Sequence, residues 1–230
     1  MKKKDILFVI CFIMLFLPFF LSDSVFNFYD SFNKDHGMIT SFIKFAILAT
    51  IGESIGLRIR SGVYNKKGFG LIPRAIVWGF LGLTIKMSFV IFATGTPKFL
   101  AYLGFSEAVE AMKGSFTWLK LLVAFSISAT INLIYAPIMM TLHQITDIHI
   151  INNGGTISCL FRKIKFGEIM ANMNWSVQWN FVFKKTIPFF WIPAHTITFL
   201  LPVQYQVLFA AILGVVLGIL LAIASLKSTN

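Results

Sequence analysis

Apolar residues along this chain fall into long runs separated by shorter polar stretches. A hydrocarbon core about 30 Å thick needs about 20 apolar residues at a rise of about 1.5 Å each, so the runs are compared with a window of roughly 17–25. Six answer to it: Ile6–Leu21, Met38–Leu57, Ala75–Thr94, Trp118–Leu142, Thr186–Val203 and Gln206–Leu226. The expected fold is therefore all-α, a polytopic transmembrane helix bundle of about six spans. Lys2, Lys3 and Lys4 before the first run and Ser22-Asp23-Ser24 after it also fit a secretory signal. The run is long for a signal core and no Ala-x-Ala site follows, which favours a retained helix. The expected organisation is an N-terminal transmembrane helix and external loop over 1–37 and a three-span bundle over 38–142. A basic cytoplasmic loop over 143–185 precedes a Pro-rich fifth span and the sixth span over 186–230.

Composition agrees with this pattern. Of 230 residues, 57% are hydrophobic and 13% charged, and the net charge is +11; soluble domains run at roughly 45–50% and about 25%. In a soluble chain that charge would suggest nucleic acid, but here the basic residues sit between apolar runs and point to membrane lipid. No nucleic-acid partner is expected. Lys34, Lys98 and Lys113 fall on one side of the spans, and Lys44, Lys86 and Lys120 within them. All the other Lys and Arg fall on the opposite side, so both termini are expected to be cytoplasmic. Cys11 lies in an apolar run and Cys159 in a polar loop. They supply neither a disulfide framework nor a Cys-based zinc site. Nucleophile elbows and Gly-rich phosphate loops are missing too, so no catalytic residue, no cofactor and no enzymatic role is expected.

Trp78, Trp118 and Trp179 stand at expected span ends, where indoles favour the headgroup level. After Asn153-Gly154-Gly155, Phe166, Ile169, Met170, Met173, Val177 and Phe181 recur at helical spacing. This pattern fits a helix in the cytoplasmic interface or one packed beneath the bundle. Gly52/Gly56 and Gly214/Gly218 form small-residue faces for close helix packing, within one subunit or in a homo-oligomer, and Pro137 is a further packing candidate.

Polar groups deep in an apolar run are costly and usually face a partner or water. Glu53 in the second span and Lys86 in the third lean toward each other, as a structural ion pair or as pore-lining groups. Arg74 is a rival partner for Glu53. At similar depth come Asn132, with Ser128 one turn earlier, and His195 with Thr196 and Thr198. Pro188, Pro193 and Pro202 disturb the backbone near His195 and favour a cavity there. His143, Asp147 and His149 have the types of metal ligands, but their spacing fits a solvated helix end, and no metal is expected.

Three stretches together resemble the Mpv-seventeen and peroxisomal membrane protein family of mitochondrial inner-membrane and peroxisomal proteins. Asn132-Leu133-Ile134-Tyr135-Ala136-Pro137 is similar to the family's Asp-Gln-x-x-Phe-Ala-Pro segment, with Asn132 in place of Gln and Ile131 in place of Asp. Trp191-Ile192-Pro193-Ala194-His195, Thr198-Phe199 and Pro202 to Val207 resemble its Trp-Pro, Asn-Phe and Pro-x-x-Tyr-Arg-Val run, with Gln206 in place of Arg. Gly52-Glu53, Arg74 and Gly82 resemble its early Gly-Asp and later Arg and Gly. The resemblance spans residues 40–226 and implies a compact helical membrane protein; some members of that family form weakly selective channels. With the Lys/Phe/Ile-rich composition and no transit-like leader, it implies a bacterial-type relative in the inner (plasma) membrane.

The expected function is a weakly selective channel or permease for small solutes or ions, with a path past Glu53, Arg74, Lys86, Asn132, His195 and Thr198. Mixed charge along such a path excludes neither sign. The alternative is a non-transporting scaffold that presents a basic cytoplasmic face to lipid or a protein partner.

Overall fold

The computed structural model describes residues 3–227, with the side chains of 221 and 224–227 excepted. Lys2 therefore lies outside the described residues, as does the side chain of Lys227. Among the described residues the chain is helical and has no strand. The long elements are α1 (Lys3–Leu21), α2 (Asp23–Asp35), α3 (Gly37–Ser61), α4 (Leu71–Tyr102), α6 (Trp118–Asn152) and α10 (Val203–Lys227). Shorter ones are α5 (Ala108–Ala111), α7 (Phe166–Asn172), α8 (Trp175–Val177) and α9 (Ile192–Leu200). Among the described residues five helices are long and apolar enough to cross a membrane: α1, α3, α4, α6 and α10. The chain is a multi-pass membrane protein.

Two compact units divide the chain, residues 1–40 and 41–230. In the first, the stretch expected as an external loop is the helix α2. The Ser22 side chain caps its N-terminus by accepting from the Val25 N–H, and Asp30 pairs with Lys34 one turn on. Near its end Thr40 donates to the Asn33 side chain at 2.9 Å.

In the second unit, the helices approach most closely at glycines. A Cβ on Gly82 of α4 would sit 2.7 Å from the Ser41 carbonyl oxygen, and one on Gly79 would enter the Phe42 ring. A Cβ on Gly52 of α3 would lie 2.9 Å from Val215 Cα on α10, and one on Gly218 only 3.4 Å from the Gly52 oxygen. The two expected small-residue faces thus meet each other within one chain. Gly214 differs, with no atom within 4 Å of its Cβ position.

The fifth expected span is not one α-helix. Gln178–Trp191 winds as a π-helix and passes directly into α9, which stops at Leu201-Pro202. Proline explains both features: Pro188 and Pro193 have no N–H and their rings push away the carbonyl four residues back, which widens the turn, while Pro202 disfavours helical backbone at Leu201 and so ends α9. At the junction the Ile192 N–H reaches the Ile187 oxygen, and the Thr186 hydroxyl reaches the Phe181 oxygen. Past the break, Gln206 donates to the Leu201 carbonyl at 3.0 Å.

The stretch expected as one interfacial amphipathic helix is split. Met173 is extended, and Asn174 caps α8 by accepting from the Val177 N–H at 3.0 Å. Ile169 and Met173 bury against Ile145 of α6, so α7 is tucked onto the end of α6. The other apolar residues of the pattern, Phe166, Met170, Val177 and Phe181, are exposed. Helix α6 also runs past Leu142 to Asn152, so the expected loop from residue 143 begins inside a helix. Cys159, expected in a polar loop, is buried in the single turn Ile157–Phe161. Its carbonyl accepts from His149 Nε2 at 2.9 Å, and burial pushes its thiol above the ordinary thiol value. At the start of α4, a Cβ on Gly155 (φ 65°) would lie 2.6 Å from the Gly70 nitrogen, so these two turns touch through backbone alone.

Gly52→Leu should lower the thermal midpoint in detergent, by about 1–3 kcal/mol of overpacking against α10. Gly214→Ala should leave it unchanged or raise it by up to about 1 kcal/mol, since the site is open. Equal losses at both positions would contradict the observed α3–α10 contact.

Candidate functional site

Arg74 stands in the first turn of α4 and is only 6% exposed. Its Nε donates to the Phe69 carbonyl at 2.7 Å, and its guanidinium lies 4.7 Å from the Phe69 ring centre. Its Nη1 donates to Glu53 Oε2 on α3 at 2.5 Å and to Asp147 Oδ1 on α6 at 2.7 Å. One turn along α4, Trp78 Nε1 donates to Glu53 Oε1 at 2.8 Å. His143 Nε2 lies 3.0 Å from Glu53 Oε1 and 3.6 Å from Asp147 Oδ1. An ionised carboxylate only accepts, so that nitrogen carries a proton. The Trp78 and His143 rings pack with centres 4.3 Å apart.

Three sequence expectations change here. Glu53 pairs with Arg74, and Lys86 makes no ion pair with it. The antiparallel course of α3 and α4 sets Glu53 level with the start of α4, and Lys86 is twelve residues further on, roughly 18 Å along the axis. Lys86 is half-buried. His143 and Asp147 belong to the half-buried cluster, not to a solvated helix end, because α6 continues beyond them. Trp78 is a ligand of Glu53, not a headgroup anchor; Trp118 and Trp179 are exposed.

Donor atoms of Glu53, His143 and Asp147 lie within 4.8 Å of one another, the spacing of a metal site. The guanidinium of Arg74 already bridges the two carboxylates, so the protein's own cation fills the place an ion would take.

A second cluster lies deeper, where α6 meets α9. Asn132 Nδ2 donates to the Ser128 carbonyl at 2.9 Å and contacts His195 Nδ1 at 3.0 Å. The Ser128 hydroxyl donates to the Ile192 carbonyl at 2.7 Å, and Thr196 to the same oxygen at 2.8 Å. The helices are therefore tied together at the proline-disturbed junction. Thr198 is fully buried and donates its hydroxyl to the Ala194 carbonyl within its own helix. Pro137 is accommodated within α6, and the Thr141 hydroxyl donates to its carbonyl at 2.7 Å.

Between the clusters is a cavity of about 260 Å³, walled by α3, α4, α6, α10 and the segment from Trp191 to His195. Glu53, His143 and Arg60 supply its charged lining, and Asn132 and His195 its deep polar lining. Tyr135 lies between them, its hydroxyl sharing a hydrogen bond with Thr84 at 2.6 Å. The rest is apolar, including Phe45, Phe89, Met139 and Met140. Gly52, Gly56, Gly214 and Gly218 also face it. Lys86 and Thr198 are not in the lining, and Arg74 holds Glu53 from behind it. His143, Tyr135, Trp78, Trp191 and Arg60 were not singled out from sequence as site residues. The stripe Asn132, Tyr135, Met139, His143 and Asp147, at spacings of three and four, was the signal available for the α6 wall.

Comparison with family models, with curated proteins and with solved structures gives no match for this chain.

Removing one member of a buried pair typically costs 3–5 kcal/mol, while removing both can be nearly neutral. Glu53→Gln and Arg74→Met should each lower thermal stability in detergent, and the double variant should recover much of the loss. Lys86→Met should combine additively with Glu53→Gln. Coupling of Glu53 to Lys86 instead would contradict the observed pairing.

Proposed function

We propose that this protein passes small solutes, with weak selectivity, through the cavity between α3, α4, α6, α9 and α10. The observation that carries the reading is the cavity itself. It lies among membrane-length helices and joins a charge-neutralised end at Glu53 and His143 to a polar end at Asn132 and His195. Transport sites are commonly built at disturbed backbone within a membrane bundle, and the π-to-α junction beside His195 is of that kind. Arg74, Lys86 and Thr198 drop out of the expected path, while Tyr135 and His143 join it.

In the proposed topology the π segment and α9 together make a further crossing, giving six spans with both termini cytoplasmic. Helix α9 alone is 9 residues long, roughly 14 Å, too short to cross without the π segment. The same reading makes the chain a bacterial-type relative, in the inner membrane, of the Mpv-seventeen and peroxisomal membrane protein family. The stretches that resemble that family supply Glu53, Asn132, Tyr135, Trp191 and His195 to the cavity wall.

Proteoliposomes should swell faster than protein-free vesicles in isosmotic glycerol or acetamide. Met139→Trp, which fills the chamber, should slow the swelling several-fold. If well-folded protein gives no swelling, the transport reading falls. The scaffold reading then remains, with Lys163, Lys165 and the exposed Phe161 facing lipid or a partner. Full flux in Met139→Trp would place the path elsewhere.

A further inference from the structure

We infer that the mouth of the cavity binds a monocarboxylate with a short apolar tail, the carboxylate held by Arg60 and the tail lying in the chamber. This deepens the proposed function and rests on it for the cavity's role as a solute site.

Arg60 is the last lining residue on one stripe of α3, after Phe45, Ala49, Gly52 and Gly56 at spacings of three and four. Side chains on a helix lean toward its N-terminus, and here that direction carries the guanidinium back over Gly56. A Cβ on Gly56 would lie 3.7 Å from Arg60 Nη2 and 3.7 Å from the Gly218 carbonyl oxygen. The guanidinium therefore faces the space between α3 and α10 that a side chain at Gly56 would take. Arg58, in the same turn, behaves differently. It donates to the Gly62 carbonyl at 2.6 Å and lies 5.6 Å from the Tyr64 ring centre, so it serves the end of the helix. Arg60 is exposed and, among the described residues, makes no ion pair or hydrogen bond. It is a cation in the cavity wall that the fold itself does not use.

The acid nearest to Arg60 in the lining is Glu53, two turns deeper on the same face and roughly 10 Å along the axis. That carboxylate is already engaged by Arg74, Trp78 and His143. Arg60 is thus left for an incoming anion, and its planar fork of N–H groups matches the two oxygens of a carboxylate. Because Arg60 is exposed, an anion held there keeps part of its hydration. Beyond it the wall turns apolar, with Leu217, Met140 and Met139 and then Ile85 and Phe89. An alkyl tail leaves water favourably in such surroundings, whereas a second charge would lose its hydration there without a counter-ion. One carboxylate on one apolar tail is the chemistry that satisfies both parts. Size limits the tail to several carbons: about 260 Å³ exceeds the roughly 150 Å³ cavity that holds benzene.

The probes are hexanoate and hexanamide, which share a skeleton and differ in charge, and butyrate, which shortens the tail by two methylenes. Binding is measured at neutral pH to the full chain in phosphatidylcholine nanodiscs, with partition into protein-free nanodiscs subtracted. A purely apolar chamber favours the amide, because an anion gives up more hydration on entry. Here hexanoate should bind about fivefold more tightly than hexanamide, the scale of a partly exposed ion pair. It should bind about tenfold more tightly than butyrate, whose shorter tail buries less apolar surface. Arg60→Gln, at an exposed position with no partner to lose, should bring hexanoate down to hexanamide or below and leave hexanamide unchanged. Arg58→Gln removes the same charge from the same turn and should leave hexanoate binding nearly as it was. Equal binding of hexanoate and hexanamide, or equal losses in the two arginine variants, overturns the carboxylate site while leaving the cavity as a solute site. Butyrate binding as tightly as hexanoate also overturns it, since the tail then lies outside the chamber. Failure of all three probes to bind the folded wild-type chain overturns the inference and the solute-site reading together.

Discussion

The guanidinium of Arg74, held between the carboxylates of Glu53 and Asp147, joins three helices through groups that none of them could bury alone. In an apolar surrounding a lone carboxylate or guanidinium loses its hydration, and only close, hydrogen-bonded opposite charges offset that loss. The constraint is geometric as well as energetic. One Nη1 contacts both acids, so α3, α4 and α6 can meet only at the level where Glu53, Arg74 and Asp147 coincide. The Phe69 carbonyl and ring fix the guanidinium from the loop side, which ties the entry of α4 to the same point. Trp78 and His143 occupy the remaining Glu53 oxygen. Glycine follows from this arrangement, because helices held so close need Gly79 and Gly82 on α4 to clear Phe42, Ser41 and Phe45.

The deep end depends on a different principle. Proline disturbs backbone hydrogen bonding that a membrane cannot replace, so side chains hold the disturbed segment in place. Ser128 and Thr196 both donate to the Ile192 oxygen, which anchors the π-to-α junction on α6 and sets His195 beside Asn132. The imidazole is thus positioned by backbone irregularity rather than by a charge. Gln206 performs a similar service at the Leu201 carbonyl, where α9 ends.

Much of this was legible in the sequence. Long apolar runs follow from the thickness of a bilayer, so most helices were expected close to where they lie. Proximity of Asn132 and His195 was foreshadowed by their similar depth, and Arg74 was already a rival partner for Glu53. The misses have a common cause. Hydropathy finds where a chain leaves the apolar region, not where a helix stops, and α6 keeps its turn through His143 and Asp147 because tertiary partners satisfy them. The leaning of Glu53 and Lys86 toward each other was a local argument. The heights of α3 and α4 are set by the loop over 62–70 and by Asp147, which is remote in sequence. The π-helix was not legible either, since proline announces a disturbance without saying which winding absorbs it.

Helix α6 is the wall shared by both ends. Along one stripe it carries Asn132, Tyr135, Met139 and His143, so the register of a single helix fixes the distance between the charged end and the imidazole. That coupling bears on what can enter. At one end Glu53 is already engaged by Arg74, Trp78 and His143, so it has little attraction left for a free cation. At the other end the polar lining is the Asn132 amide and the His195 ring, which contact each other. A long apolar middle lies between, where an ion of either sign would be unsolvated. A chamber whose carboxylate is spent on holding its helices together, and whose wall also carries Arg60, is thereby better suited to neutral molecules than to cations.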